Sequence, residues 1–398
     1  MKKLLCLVIC FVLTIATLGV NQAKFVKYDF VFAQADETDI KGDIPELAVK
    51  SKAAYLVEAN SGICIFKKNS TAHLPMASMT KMLSLKLIFQ AIDSGKIRLD
   101  DYVVISADSA ATGGSQAYLD ENQKYRVEDL IKTVIIASAN DSVVALSEAI
   151  CGSEREFVKQ MNREAKLMGL NNTHFVNSTG LPAPEHYSSA EDCAKIFQSI
   201  MNNATYNKYA KVWMDELVHP TGRKTGLVNT NRLVKSYPGC DAGKTGYTND
   251  AGYCLTCSAT KNGVRLIAVV MGEPDSKTRF SEVSELFNYG FSNYALKMVV
   301  DKNKYTTPVN ISGAEGKAYM ASPQENLYVF SKKGEEVKYT ICVNAENLKA
   351  PLTKGSVIGT IKICDENDEV LAQTQLVINE DARSKTLVSG LIKIAENW

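Results

Sequence analysis

Residues 241–271 read DAGKTGYTNDAGYCLTCSATKNGVRLIAVVM, and the fold turns on how this stretch folds. Gly252 to Ala259 and Val264 to Met271 are two apolar-rich runs on either side of Lys261-Asn262-Gly263. Asn-Gly between such runs is a strong short-range signal for a β-hairpin. Lys244-Thr245-Gly246 comes just before the hairpin, so it is expected on a strand at the open edge of a sheet. An edge strand can take up an extended peptide as one more strand. A lysine there supplies charge for a carboxylate, a threonine supplies a hydroxyl, and a glycine lets a second backbone come close.

Outward from this stretch, strands return at the start of the chain. Ala53 to Val57 and Ile63 to Lys67 flank the turn Asn60-Ser61-Gly62. A helical pattern is expected from about Ser78 to Ser94. Residues 125–202 alternate helical stretches with Gly and Asn turns, with Leu130, Val134 and Ile135 at helical spacing. Strands, helices, then strands again predict an antiparallel sheet covered by helices with a helical lobe beside it. Near Lys297 the pattern changes once more. Val337, Tyr339, Ile341 and Val343 alternate with more polar neighbours, and Val357, Ile361 and Ile363 continue around Gly359. A small all-β domain, a sandwich, is expected there.

Composition narrows the function classes. Hydrophobic residues are 45% and charged residues 22% of 398, which excludes a disordered or low-complexity chain. The net charge is +1, and the first 35 residues carry +3 of it through Lys2, Lys3, Lys24 and Lys27 against Asp29. The remainder is slightly acidic and carries no nucleic-acid footprint. Lys2 and Lys3 precede an uncharged run from Leu4 to Val20, and Ala33-Gln34-Ala35 offers a cleavage site before Asp36. These are the parts of an export signal, so the mature chain is expected outside the cell. The expected division is a signal at 1–35, a first domain at 36–296, a β-sandwich at 297–382 and an amphipathic helix at 383–398.

Two further motifs carry chemistry. In Ser78-Met79-Thr80-Lys81, residues three apart share a helix face, so Lys81 can reach the Ser78 hydroxyl. Serine is a weak nucleophile until a base takes its proton, and a buried lysine becomes that base because desolvation lowers its pKa. In Ser138-Ala139-Asn140, Ser138 could pass a proton to a leaving amine and Asn140 could hold a substrate backbone. Each motif alone is common. A lone Ser-x-x-Lys is more often a helix start with a surface lysine, and Ser-x-Asn an ordinary N-cap. Ser-x-x-Lys, Ser-x-Asn and Lys-Thr-Gly in this order are the set found in penicillin-binding proteins and class A β-lactamases. A second Lys-Thr-Gly, Lys224-Thr225-Gly226, lacks a following hairpin pattern and is expected to be loop.

The chain resembles the low-molecular-weight penicillin-binding proteins that are serine-type D-Ala-D-Ala carboxypeptidases. The resemblance rests on Pro75 to Lys81, Gly169-Leu170 with His174-Phe175, Asp241 to Thr248, Ala251-Gly252-Tyr253 and Arg265-Leu266-Ile267. Lys354-Gly355 to Ile378 is similar to the family's β-sandwich. The resemblance implies a transpeptidase/β-lactamase-like α/β domain followed by that sandwich. It implies Ser78 as the acylated nucleophile, Lys81 as general base, Ser138 and Asn140 as the second motif, and Lys244 with Thr245 and Gly246 as the carboxylate-binding strand. It further implies release of the terminal D-alanine from peptidoglycan stem pentapeptides, covalent inhibition by β-lactams, and no cofactor. Tyr247 stands where some relatives have His, which bears on deacylation.

Other signals are weaker. His73, His174, His186 and His219 have no metal-site spacing, and no metal is expected. Cys254-Leu255-Thr256-Cys257 is a lone C-x-x-C in a strand, where residues three apart face opposite sides. Glu164 fits the polar face of a helix better than a deacylating base. The alternatives are a β-lactamase, which wants such a glutamate and no sandwich tail, and a catalytically idle peptidoglycan-binding protein, which does not need three intact motifs. In the tail, Leu387, Leu391, Ile394 and Trp398 share one helical face, which predicts peripheral membrane contact in competition with packing on the sandwich.

Overall fold

A computed structural model describes residues 47–386 apart from 317, 346 and 347. The expected signal and positions 387–398 of the expected tail helix lie outside the described residues, and the described start of that helix is extended instead, with Ser384 bridged to Ala314 and the Lys385 N–H donating to Gly313 O at 2.7 Å. The first domain holds strands β1 (Ala53–Glu58), β2 (Cys64–Lys68), β3 (Tyr102–Val104), β4 (Lys124–Arg126), β5 (Met214–Val218), β6 (Lys224–Val228), β7 (Cys240–Thr248), β8 (Gly252–Lys261) and β9 (Val264–Glu273). Its helices are α1 (Lys81–Asp93), α2 (Ala107–Ala110), α3 (Val127–Ala137), α4 (Asn140–Cys151), α5 (Glu154–Leu167), α6 (Ala190–Ile200), α7 (Ala204–Ala210), α8 (Leu233–Ser236) and α9 (Ser276–Asn293).

Five of these strands form one antiparallel sheet in the order β2-β1-β9-β8-β7. Strand β9 shows why its sequence is apolar without a break from Leu266 to Met271. Val264, Leu266, Ala268 and Val270 enter one core cluster, while Ile267, Val269 and Met271 enter the other. A strand buried on both faces has no polar side to alternate with. Helix α9 lies on one face against β8, β9 and β1, and α6 lies against β9 and β1. Helix α1 packs on α6 and also on α4 and α5, so it joins the sheet to the helical lobe. The chain therefore places the start of α1, the α3–α4 corner and strand β7 around one cleft.

The hairpin closes at Asn262 and Gly263 with φ of +51° and +79°, the left-handed values a two-residue turn requires. Strand β7 is an edge of the sheet, as its position before the hairpin predicts. The second Lys-Thr-Gly corrects an expectation. Lys224 to Gly226 lies in β6, paired with β5, and is not loop. This hairpin buries Leu217 and Leu227 against the first domain's core, too few apolar positions to show as alternation.

Beyond α9 come β10 (Tyr294–Val300), β11 (Thr307–Val309), β12 (Tyr319–Pro323), β13 (Leu327–Lys332), β14 (Thr340–Asn344), β15 (Val357–Cys364) and β16 (Val370–Ile378). β10 pairs with β13, and the others form a sheet in the order β11-β12-β16-β15-β14. Val300, Leu327 and Val329 from the first sheet meet Ala321, Ile361, Ile363, Leu376 and Ile378 from the second in one core. Two sheets closing over a shared apolar layer make a sandwich.

Candidate active site

Ser78 sits in a 3-10 turn, Ala77–Thr80, that runs directly into α1. The turn is anchored by Met76 and Met79, both fully buried, with Thr256 of β8 donating from Oγ1 to Met79 Sδ at 3.2 Å. Ala77 takes φ +49°, a costly conformation for a residue with a Cβ. Gly180 explains how that is held. A Cβ there would lie 1.9 Å from the Ala77 carbonyl oxygen, so the two backbones touch. One turn on, Lys81 is wholly buried. Its Nζ lies 2.9 Å from Ser78 Oγ and donates to the Thr179 carbonyl at 2.6 Å. Burial lowers its pKa well below the usual lysine value. The Lys244 charge pushes the same way, and Asp141 partly offsets both.

The α3–α4 corner supplies the second wall. Ser138 caps α3 in the left-handed region at φ +64°, which turns its hydroxyl out of the helix line. Asn140 opens α4. Its backbone N–H donates to Ser115 O at 2.7 Å and its Nδ2 to Gly113 O at 2.6 Å. That leaves Asn140 Oδ1 buried without a partner, an acceptor placed for an incoming donor. Asp141 beside it receives the N–H groups of Ala117, Leu119 and Ser142 at 3.0, 3.1 and 2.8 Å.

The third wall is β7. Lys244 is buried, and its Nζ donates to Ser138 Oγ at 2.8 Å and Thr245 O at 2.9 Å. Burial, helped by the Arg279 charge, draws its pKa down to about 7. Gly246 faces the nucleophile turn: a Cβ would stand 2.6 Å from Met76 O and 3.2 Å from Ser78 N. The structure thus brings Ser78, Lys81, Ser138, Asn140, Lys244, Thr245 and Gly246 together. Ser138 is bonded to Lys244 rather than to Lys81, so the cleft holds two Ser–Lys pairs side by side.

Several residues of the site were not read from the sequence. Asn177 Oδ1 gathers the N–H groups of Thr179 and Gly180 at 3.2 and 2.7 Å, shaping the turn that holds Lys81. The Asn177-to-Gly180 stretch carried a turn signal, but not its partner. Arg279 of α9 donates to Gly246 O and Cys254 O, both at 3.3 Å, and burial pulls its pKa down to about 10. His186 Nδ1 accepts from Val176 N–H at 3.1 Å, so Nε2 carries the proton that faces Thr80 Oγ1 at 2.8 Å. Burial, then His174 and Lys81, depress that imidazole to about 4, and it stays neutral.

The remaining candidates lie elsewhere. Lys224 is exposed and pairs with Glu216 at 2.7 Å. Glu164 lies between α5 and α1, largely covered and held by Lys86 at 3.3 Å and Gln90 at 3.0 Å. Cys254 and Cys257 fall in different core clusters. Cys257 instead meets Cys240 of β7, sulfur to sulfur at 3.4 Å. Among the described residues no three His, Cys, Asp or Glu side chains converge as metal ligands.

The comparisons with known proteins agree with this geometry. The family described as D-alanyl-D-alanine carboxypeptidase matches residues 40–275, and the C-terminal domain of penicillin-binding protein 5 matches residues 294–384. The chain is 39% identical to the D-alanyl-D-alanine carboxypeptidase DacF of Bacillus subtilis, over 89% of this chain and 91% of that one. It is 31% identical to DacA of Escherichia coli, over 88% of each. Among solved structures it resembles penicillin-binding protein 5 from Haemophilus influenzae, with a TM-score of 0.66 and 30% identity over 84% of this chain and 98% of that one. With nucleophile turn, Ser-x-Asn corner and Lys-Thr-Gly edge strand built around one cleft, and a penicillin-binding-protein sandwich behind it, the chain belongs to the D-alanyl-D-alanine carboxypeptidase family.

Proposed function

We propose that Ser78 carries the reaction of a serine-type D-Ala-D-Ala carboxypeptidase, acting on peptidoglycan stem pentapeptides in two acyl-transfer steps. One observation supports this most: Ser78 Oγ lies 2.9 Å from the Nζ of a wholly buried lysine whose charge is disfavoured. An uncharged Lys81 amine takes the Ser78 proton as Oγ attacks the carbonyl between the last two D-alanines. The oxyanion forms beside the N–H groups of Ser78 and Tyr247, the residue after Gly246, where preorganised donors lower the barrier. The substrate lies along β7, its terminal carboxylate against Lys244 and Thr245 and its amide N–H toward Asn140 Oδ1. The leaving amine takes its proton through Ser138, which Lys244 holds in place. Water then hydrolyses the ester and frees Ser78. A β-lactam follows the same first step, but its leaving group stays tethered and the ester persists. Tyr247, half exposed and 4.3 Å from the Tyr253 ring, stands beside the cleft where it can slow or admit the hydrolytic water of the second step.

Ser78→Ala abolishes both labelling by a fluorescent penicillin and D-alanine release from a D-Ala-D-Ala tripeptide. Intact-protein mass spectrometry is the check, and a penicilloyl adduct on the variant would point to another nucleophile. Rapid penicillin turnover by the unaltered protein would favour a β-lactamase, and inertness to both reagents an idle binding protein.

The reading extends to organisation and place. The chain is divided at 36–296, 297–382 and 383–398, and is exported through residues 1–35 to the outer face of the membrane or the wall. Among the described residues no helix is long and apolar enough to cross a membrane. The helical spacing of Leu387, Leu391, Ile394 and Trp398 along the sequence supports weak surface attachment. Vesicle co-sedimentation of the mature chain against one ending at Ala382 tests it, and equal partitioning would end the anchor reading.

A further inference from the structure

The loop that carries Asn140's two backbone partners, Gly113 and Ser115, continues into a residue held in an unfavourable conformation. Tyr118 has φ +60°, an outlier for a bulky side chain. Three contacts hold it there. The buried Asp141 carboxylate receives the N–H of Ala117 before it and of Leu119 after it. Arg223 of the β5–β6 hairpin donates from Nη2 to the Tyr118 carbonyl at 2.5 Å. Arg223 is itself fixed by Asp120 at 2.8 Å. The neighbours on either side are buried, yet the Tyr118 side chain is 61% exposed, and among the described residues no aromatic ring stacks on it. Strain that the surroundings over-determine, with nothing gained in the core, marks a functional position.

We infer that Tyr118 is a specificity-determining residue that contacts the side chain of the amino acid preceding the D-alanine pair. The inference rests on the carboxypeptidase reading of the same cleft. Its direction follows from Asn140. The unpartnered Oδ1 takes an amide N–H on the acyl side of the scissile bond, because the other side ends at the carboxylate bound by Lys244 and Thr245. Chain upstream of that amide must leave past the loop that Asn140 ties down, and Tyr118 stands on that loop with its ring toward solvent. An aromatic ring offers apolar area with little entropy to lose on binding. It suits a long aliphatic side chain and gains nothing from a glycine.

The test compares two peptides that end in D-Ala-D-Ala, one with an acylated lysine before the pair and one with glycine. The quantity read is the ratio of their kcat/KM values. Tyr118→Ala lowers the ratio about five- to tenfold, the low end of what apolar contacts discriminate. Tyr118→Phe, which keeps the ring, preserves it. Tyr118→Gly lowers the ratio as Ala does while the melting temperature holds or rises, because glycine relieves the left-handed strain. An unchanged ratio in Tyr118→Ala, a wild type that does not distinguish the peptides, or a parallel loss on both with a lowered melting temperature overturns the inference. Failure of the wild type to release D-alanine from either peptide overturns the carboxypeptidase reading instead.

Discussion

Lys81 and Lys244 are two buried amines in one cleft, and burial together with the Lys244 charge disfavours protonation of Lys81. That arrangement sets the pH response. As pH falls, Lys81 gains a proton and can no longer serve as the proposed base, so acylation by penicillin declines on the acid side. As pH rises through about 7, unliganded Lys244 loses its charge, so with the proposed carboxylate contact kcat/KM for D-alanine release declines on the basic side. Stopped-flow acylation and steady-state release across pH 5–10 would separate the two limbs. Lys244→Ala lowers kcat/KM at least tenfold, since a charge-assisted contact is worth ~1.5–3 kcal/mol and ~1.4 kcal/mol is tenfold. Lys224→Ala changes it little, and equal losses would contradict the assignment of β7 over β6. Stability follows the opposite logic. Between pH 7 and the ordinary lysine range the unfolded chain holds a proton that folded Lys244 does not, so folding strengthens as pH rises there. Lys244→Met is expected to raise the melting temperature at pH 6, with a smaller gain at pH 10. Ser78, Lys81, Ser138, Asn140, Lys244, Thr245 and Gly246 were legible because the order of their motifs along the chain is itself a signal. Arg279 and His186 were not, because nothing within their own segments reflects what reaches them in the fold.

At the scale of elements, the site depends on backbones that touch. Gly180 and Gly246 flank the 3-10 turn of Ser78, and a side chain at either would displace it. Gly180→Ala meets both a left-handed φ of +86° and a carbonyl at 1.9 Å. It is expected to cost ~1–3 kcal/mol from strain alone and to slow penicillin acylation more than tenfold. Denaturant unfolding and acylation kinetics would check the two effects together, and normal acylation would show that the turn accommodates the methyl. The sequence announced the long hairpin because Asn262-Gly263 and its apolar flanks agree. It hid β5–β6, where Leu217 and Leu227 are the buried positions and the paired strands otherwise face water. It also hid the Gly180 contact, since a turn signal says that the chain bends and not what the bend packs against.

For the whole molecule, the sandwich is not simply appended. Phe330 of β13 is buried in the core cluster of the first domain, stacked at 5.4 Å on Tyr294 where α9 passes into β10. Phe330→Ala is expected to cost ~3–5 kcal/mol. Scanning calorimetry should then resolve a sandwich transition below that of the catalytic domain. A single unchanged transition would mean the contact carries little. The open edge of β7 has a colloidal consequence as well. A sheet edge kept free for a peptide is also free for the edge of another molecule, and exposed edges seed aggregation. Here the strand is guarded by its own chemistry. Lys244 turns a charge inward, Arg279 takes the Gly246 carbonyl, and a bulge interrupts the pairing with β8 between Cys240 and Ala242. The side chain proposed to receive the substrate's carboxylate would thus also help keep concentrated protein in solution, so Lys244→Val should scatter light on standing where Lys224→Val stays clear.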